Sequence, residues 1–343
     1  MGNDMSIIKQ QDIAKALNVS RITVSKALRN HPDISPEMKH KVKQMAEELG
    51  YSPNWVARNL SARRTNTIGV VVPDVANPFF SSAIHGIIDV ASERGYQTIL
   101  TVSRERHDIE VKNIKTLLAM RVDGLLVAIS QDTVDYHIFE TVKKMKVPLV
   151  FFDRAIPSGS FSSVTVDDHD SAFRVVDYGI KLGYKKIAHL AGYSRIRIGQ
   201  ERMEGYLSAL KKYNLDIKKE WIVEGGFEKE DGYRNCRKLL NLENRPELIF
   251  TVNAPVAQGA YEAVEEKGYK IPQDFAFIGF GHRELSTLLR PRLTIMRQNP
   301  EDIGRKAMEI LGEEMEAPEN KQLQRVILPM ELEIHESCGQ LGG

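Results

Sequence analysis

Two adjoining stretches decide how this chain is read: DIAKALNVSRITVSKALRN at 12–30 and ISPEMKHKVKQMAEELGYSPNWVARNL at 34–60. Apolar residues recur at helical spacing in three short groups: Ile13, Ala14 and Leu17; Val24, Ala27 and Leu28; Val42, Met45, Ala46 and Leu49. Ser20 stands where an N-cap belongs, Ser35-Pro36-Glu37 opens the third group with proline at the first helical position, and Gly50 closes it. Only Asn18, Val19 and Ser20 separate the first two helices, a length that forces the steep crossing of a helix-turn-helix. With Val24 and Leu28 turned inward, Arg21, Ile22, Ser25, Lys26 and Arg29 face outward on a helix that can enter a DNA major groove. For an isolated helix such a face is most often simply solvated; the tight turn and the basic surroundings favour DNA here.

Charge is distributed unevenly along the 343 residues. Positions 1–65 carry eleven Lys and Arg against six Asp and Glu, whereas the remainder carries 36 against 40. A basic head on a near-neutral body points to a polyanion partner for the head alone. After the head, YSPNWVARNLSARRTNT at 51–67 holds a short helical group, Val56, Ala57 and Leu60, opened by Ser52 and Pro53 and ended by Arg63 and Arg64. So short a helix is marginal in water and is expected to order against a second copy or DNA, the alternative being a connector docked on the body.

From Ile68 onward the period changes. Strand candidates lie at 67–74, 96–103, 124–130, 147–153 and 163–167, then at 186–192, 221–227, 248–253 and 275–281, with amphipathic helices between them. Near-continuous apolar strands separated by helices mean parallel sheets covered on both faces, and two such series mean two doubly wound lobes. A ligand belongs between them, at the carboxyl ends of the strands. Two closing segments, 293–298 and 324–336, must join one lobe or the other. The fold class is therefore an all-α helix-turn-helix head plus an α/β core of two doubly wound parallel-sheet lobes. Boundaries are expected at 1–51 for the head, 52–65 for the hinge helix and linker, and 66–343 for the core. Within the core the first lobe takes about 66–165 and 298–325, and the second about 166–297 and 326–343.

Several classes are set aside by what the chain does not contain. GxGxxG after a strand, GxxxxGK[ST], HExxH and GxSxG are missing, so no enzyme signature and no cofactor is expected. Asp167, Asp168, His169 and Asp170 cluster at a strand-to-helix turn, where capping by Asp168 or Asp170 is favoured over metal binding, and no metal site is expected. The two cysteines, Cys236 and Cys338, are too few for a disulfide framework. No run of about 18 apolar residues occurs and MGNDMSIIKQQDIAKAL lacks a signal-peptide core, so a cytoplasmic protein with no membrane partner is expected.

Head and body together resemble the LacI/GalR family of bacterial transcription regulators. Besides the two head strings, the likeness rests on IGVVVPDVANPFF at 68–80, RVDGLLV at 121–127, VPLVFFDR at 147–154, RMEGY at 202–206, TVN at 251–253, IPQDFAFIGF at 271–280 and RPRLTIMRQ at 290–298. It implies a regulator, most often a repressor, with a periplasmic-binding-protein-like core that senses a small-molecule effector. The implied partners are that effector, a second copy of the chain, and pseudo-palindromic double-stranded operator DNA. By position, Arg21, Ile22 and Lys26 would read bases, and Ser20, Thr23, Ser25 and Asn30 would contact phosphates. Ser52, Asn54 and Ala57 would belong to the hinge helix at the DNA, and Leu60 would wedge into the minor groove. Phe79, Phe80, Asp153, Arg202, Phe227, Asn253 and Gln298 match effector-pocket positions. No long leucine-heptad tail follows residue 337, so a homodimer is expected in preference to a tetramer.

The chain departs from the family pattern where Gly281 and Ala254 replace aspartates that usually hydrogen-bond sugar hydroxyls or a purine nitrogen. Either recognition changes, or other residues such as His282 or Glu284 take over. Arg202, with Arg195 and Arg197 on the loop after Gly192, is expected to tilt the cleft basic and favour an anionic effector such as a sugar phosphate or sugar acid. Ile22 departs too, since it can touch a thymine methyl but cannot hydrogen-bond a base. Two rival readings use the same core: a solute-binding protein, which needs a signal peptide and no helix-turn-helix, and a sugar-transforming enzyme, which needs a paired acid and base in the cleft.

Overall fold

The structure is a computed structural model that describes residues 8–51, 64–157, 159–282, 286–317 and 322–339. The chain divides into two compact units between Thr65 and Asn66.

In the first unit, helices α1 (Gln10–Ala16), α2 (Arg21–Leu28) and α3 (Pro36–Glu48) enclose a small core of Ile13, Ala14, Val24, Ala27, Val42 and Ala46. The local signals explain the ends. Asn18 takes φ +52° in the turn, a left-handed conformation that asparagine tolerates, and the Ser20 hydroxyl accepts the Thr23 amide at 3.0 Å. Ser35 accepts the Met38 amide at 3.3 Å, and Gly50, at φ +67°, lets the Tyr51 amide turn back onto the Ala46 carbonyl at 2.8 Å.

The second unit opens with β1 (Thr67–Val72), α4 (Pro78–Glu93), β2 (Gln97–Val102), α5 (His107–Ala119), β3 (Gly124–Val127), α6 (His137–Lys144), β4 (Leu149–Phe152) and β5 (Ser162–Val166). It continues with α7 (Asp168–Lys181), β6 (Ile187–Ala191), α8 (Arg197–Lys212), β7 (Ile222–Glu224), α9 (Lys229–Leu240), β8 (Leu248–Thr251), α10 (Ala254–Glu266) and β9 (Ala276–Gly281). The last elements are β10 (Thr294–Arg297), α11 (Pro300–Glu316), β11 (Arg325–Leu328) and β12 (Glu331–Glu333). One six-stranded sheet has the order β11-β5-β4-β3-β1-β2 and the other β12-β10-β9-β8-β6-β7. Strands β1, β3, β4, β8 and β9 are buried almost throughout, as parallel strands covered on both faces must be.

Two details differ from the sequence reading. The segment 324–336 joins both lobes: β11 pairs with β5 along Arg325–Leu328 in the first sheet, and β12 pairs with β10 in the second. The lobe boundary therefore falls after Leu328, not at 325, and the earlier one follows Val166, the last residue of β5. Nor are the lobes wholly parallel, because β12 runs antiparallel to β10. Strands of both sheets end at the cleft, so a chain running straight on from β11 through Pro329 and Met330 enters the second sheet against its grain.

The chain crosses between lobes three times, at Val166–Asp168, Arg297–Pro300 and Leu328–Glu331. In the first lobe, α4 and α11 approach backbone to backbone. A Cβ on Gly86 would lie 2.2 Å from the Glu301 carbonyl oxygen, and one on Gly304 would lie 2.0 Å from that of Ala83.

Candidate nucleic-acid interface and ligand cleft

On α2, Val24 and Ala27 are buried while Arg21 and Ile22 are exposed, Ile22 at 67%, as is Arg29 at the C-cap. An apolar side chain this exposed beside basic neighbours is suited to an apolar contact such as a thymine methyl. Ser20 and Asn30 flank the helix on the exposed side, and Thr23, Ser25 and Lys26 are half-buried. Five of these side chains, Ser20, Thr23, Ser25, Lys26 and Arg29, already have partners within the head, the Ser20 and Thr23 hydroxyls lying 2.9 Å apart. The Lys26 ammonium sits 2.8 Å from Asp33 Oδ2, and that hydrogen bond, helped by His31, holds the Asp33 carboxyl below its ordinary range. The Arg29 guanidinium folds back on the Ser25 carbonyl and hydroxyl at 3.1 and 3.2 Å. Asp33 was not singled out in the sequence, although its place in the loop after α2 puts a carboxylate within reach of Lys26. The hinge positions Ser52, Asn54, Ala57 and Leu60 lie outside the described residues, as does Glu284.

In the second unit, Phe79, Phe80, Asp153, Arg202, Phe227, Asn253 and Gln298 converge on one cleft between the lobes, with Asn77, Arg154, Ile198, Ala254, Pro255, Gly281 and His282. Helix caps set much of its geometry. Asn77 accepts the Phe79 amide at 3.0 Å, so α4 begins by presenting two phenyl rings that meet edge to face. Asn253 accepts the Val256 amide at 2.9 Å and donates to the Phe227 carbonyl at 2.8 Å, tying the start of α10 to the loop that carries Phe227. Asp153 follows β4 at φ +60°, and burial pushes its carboxyl up to about 7.

Arg154 was not named as a site residue, though it ends the string VPLVFFDR. It is nine-tenths buried, its Nη1 donates to both Glu105 oxygens at 2.9 Å, and Nε has no hydrogen-bond partner. Its guanidinium lies 5.7 Å from the ring centre of Phe80 in the first lobe and 5.6 Å from that of Phe227 in the second.

The expected basic cleft does not materialise, because each arginine invoked for it is engaged by a carboxylate. Arg202 is 3% exposed; its Nε donates to Asp168 at 2.7 Å, its Nη1 to the Val252 carbonyl, and its plane lies 3.7 Å from the Phe280 ring centre. Arg195 pairs with Asp132 at 3.3 Å and Arg197 with Glu201 at 2.7 Å. The acidic turn is also corrected: Asp167, not Asp168 or Asp170, caps α7 by accepting the Asp170 amide at 2.8 Å, which leaves Asp168 to hold Arg202. Gly281 and Ala254 stand face to face in the cleft wall, a Cβ on Gly281 lying 3.4 Å from that of Ala254, so neither position offers a polar group.

A helix-turn-helix with an exposed donor-rich helix, joined to a two-lobed core with a cleft at the strand ends, defines a DNA-binding regulator with an effector domain. The comparisons agree. Residues 9–54 match the bacterial regulatory proteins of the lacI family, and residues 65–336 match the periplasmic binding proteins and sugar binding domain of the LacI family. Catabolite control protein A of Priestia megaterium is 34% identical over 95% of this chain and 98% of its own length. The transcriptional repressor PurR of Mannheimia succiniciproducens is 32% identical over 98% and 100%. The lac repressor dimer bound to operator and an anti-inducer superposes with a TM-score of 0.85 at 24% identity, covering 96% of this chain and 98% of that one. The regulator CelR in complex with cellobiose gives 0.73 at 26%, covering 96% and 100%. The chain belongs to the LacI family of bacterial transcription regulators. Among the described residues no helix is long and apolar enough to cross a membrane.

Proposed function

We propose that this protein is a cytoplasmic, non-enzymatic repressor that binds a pseudo-palindromic operator as a homodimer and is switched by a small molecule in the interlobe cleft. Arg21, Ile22 and Lys26 read base edges; Ser20, Thr23, Ser25 and Asn30 hold phosphates; Ser52, Asn54, Ala57 and Leu60 form the hinge at the minor groove. Phe79, Phe80, Asp153, Arg202, Phe227, Asn253 and Gln298 hold the effector.

The convergence of those seven residues on one cleft is the observation that carries this reading. Three phenyl rings with Asp153, Asn253 and Gln298 offer apolar faces beside hydrogen-bonding edges, the arrangement a polyhydroxylated ring needs. Because the arginines are paired, the favoured effector is a neutral polyhydroxylated molecule and not the anionic one expected from the sequence. Calorimetry of the full chain against neutral sugars and their phosphorylated or oxidised counterparts tests this. Neutral ligands are expected to bind at least as well, and selective binding of the anionic forms would overturn it. The ionised Asp153 is the better acceptor for ligand hydroxyls. Affinity should therefore rise about 10-fold from about pH 6 to pH 8 and then level off, a dependence that Asp153→Asn abolishes. For the head, loss of operator retardation in a chain lacking residues 1–51 is the matching test.

A further inference from the structure

Outside the set of residues that line the cleft, α4 and α11 of the first lobe bring together three groups that share no sequence motif. His85 and Asp89 stand one helical turn apart on α4, and Glu301 lies in the first turn of α11. The ligand-type atoms of all three lie within 4.8 Å of one another, and His85 Nδ1 is 3.7 Å from Asp89 Oδ2. We propose that these residues form a binding site for a divalent transition-metal ion of the zinc class.

Four observations support the assignment. A metal bonded at about 2.0 to 2.2 Å to each of three ligands in tetrahedral array needs them roughly 3.4 Å apart, so small side-chain rotations close this set. The supporting backbone is fixed, because α4 and α11 touch main chain to main chain at Gly86 and Gly304, immediately beside the ligands. The donor set suits the metal: one imidazole selects a borderline ion over magnesium or calcium, and two carboxylates balance its charge. Finally, Arg305 on α11 donates to Asp89 Oδ2 at 3.2 Å, which holds that carboxylate in place between the two helices. The competing description is a plain surface ion-pair cluster. In that case Asp89 would suffice for His85 and Arg305, and Glu301 would have no part.

Location gives the site a bearing on the effector cleft. Glu301 lines a hollow with Ser82, Arg297 and Asn299, and the same hollow is lined by His282 and Gln298, two residues that also line the cleft. Phe79 and Phe80 begin the helix that carries His85 and Asp89. A cation bridging the two helices therefore fixes the helix that carries Phe79 and Phe80 and the one that follows Gln298 by two residues.

The test uses tag-free full-length chain and Zn2+ alone, by competition with a chromophoric chelator and by calorimetry. One equivalent per chain is expected to bind saturably and to raise the melting temperature. His85→Ala and Glu301→Ala should each remove that equivalent and the thermal shift, while Glu316→Ala, at the far end of α11 and paired with Arg94, keeps both. All three variants should melt like the wild type without metal; where one does not, His85→Gln or Glu301→Gln replaces it. Absence of saturable binding, binding that survives both ligand substitutions, or equal competition by Mg2+ would overturn the proposal.

Discussion

Lys26 cannot read a base while it is bonded to Asp33. In the proposed complex that exposed ion pair is exchanged for a base edge or phosphate, and exposed pairs are weak enough for the exchange to be easy. Lys26→Ala should lose about 1 to 3 kcal/mol of operator affinity and relax preference at one position per half-site, measured by titration against single-base variants. Asp33→Asn should do the reverse, tightening all DNA by removing a competing carboxylate, and a weaker complex would show that Asp33 is needed to aim Lys26. A second residue governs acid stability. His189 is stacked against Phe250 with ring centres 4.3 Å apart, gives its Nδ1 hydrogen to the Phe250 carbonyl, and is held down to about 3 by burial. A histidine kept neutral in the fold but free to protonate when unfolded adds nothing to the pH dependence above about 6.5. Below that value the unfolded chain takes up the proton, so stability falls by about 1.4 kcal/mol per pH unit toward about 3. Denaturant titrations of wild type and His189→Gln across this range should show the slope in the first and a shallower one in the second.

Among elements, the pair α4 and α11 tolerates little change at its contact. Gly86→Ala places a methyl against the Glu301 carbonyl, which cannot swing aside as a side-chain tip could, so the helices must separate. A loss of about 1 to 3 kcal/mol in core stability is expected by denaturant titration, and an unchanged midpoint would mean that α11 shifts freely. Elements of this kind also show what the sequence reveals. The head was legible almost residue by residue, because Ser20, Ser35 and Gly50 are local signals that act within one turn. The cleft was legible as a set of positions through the family likeness, since Phe79, Asp153 and Asn253 sit at strand ends or helix starts. The charge state of the cleft was not, because the partners of Arg195 and Arg202 lie 63 and 34 residues away and no local pattern announces them. Residues 324–336 were ambiguous for a related reason. Their alternation marks strands, but nothing local says that the first four residues pair in one sheet and the next strand in another.

At the scale of the whole chain, the double use of that closing segment has a consequence of its own. A chain stopped after residue 324 loses an edge strand from both sheets, so limited proteolysis should find the first and second lobes unprotected together. Cleavage confined to one lobe would show that the edge strands are dispensable to the other. The same arrangement orders events during synthesis. The three-helix head is complete within the first 51 residues, whereas neither lobe can finish its sheet until β11 and β12 have left the ribosome. At about 5–20 residues per second, that interval is on the order of tens of seconds. A newborn copy thus possesses its reading helix before it possesses its sensor, and any copy released early from a damaged message keeps the reader and never acquires the means to be told to let go.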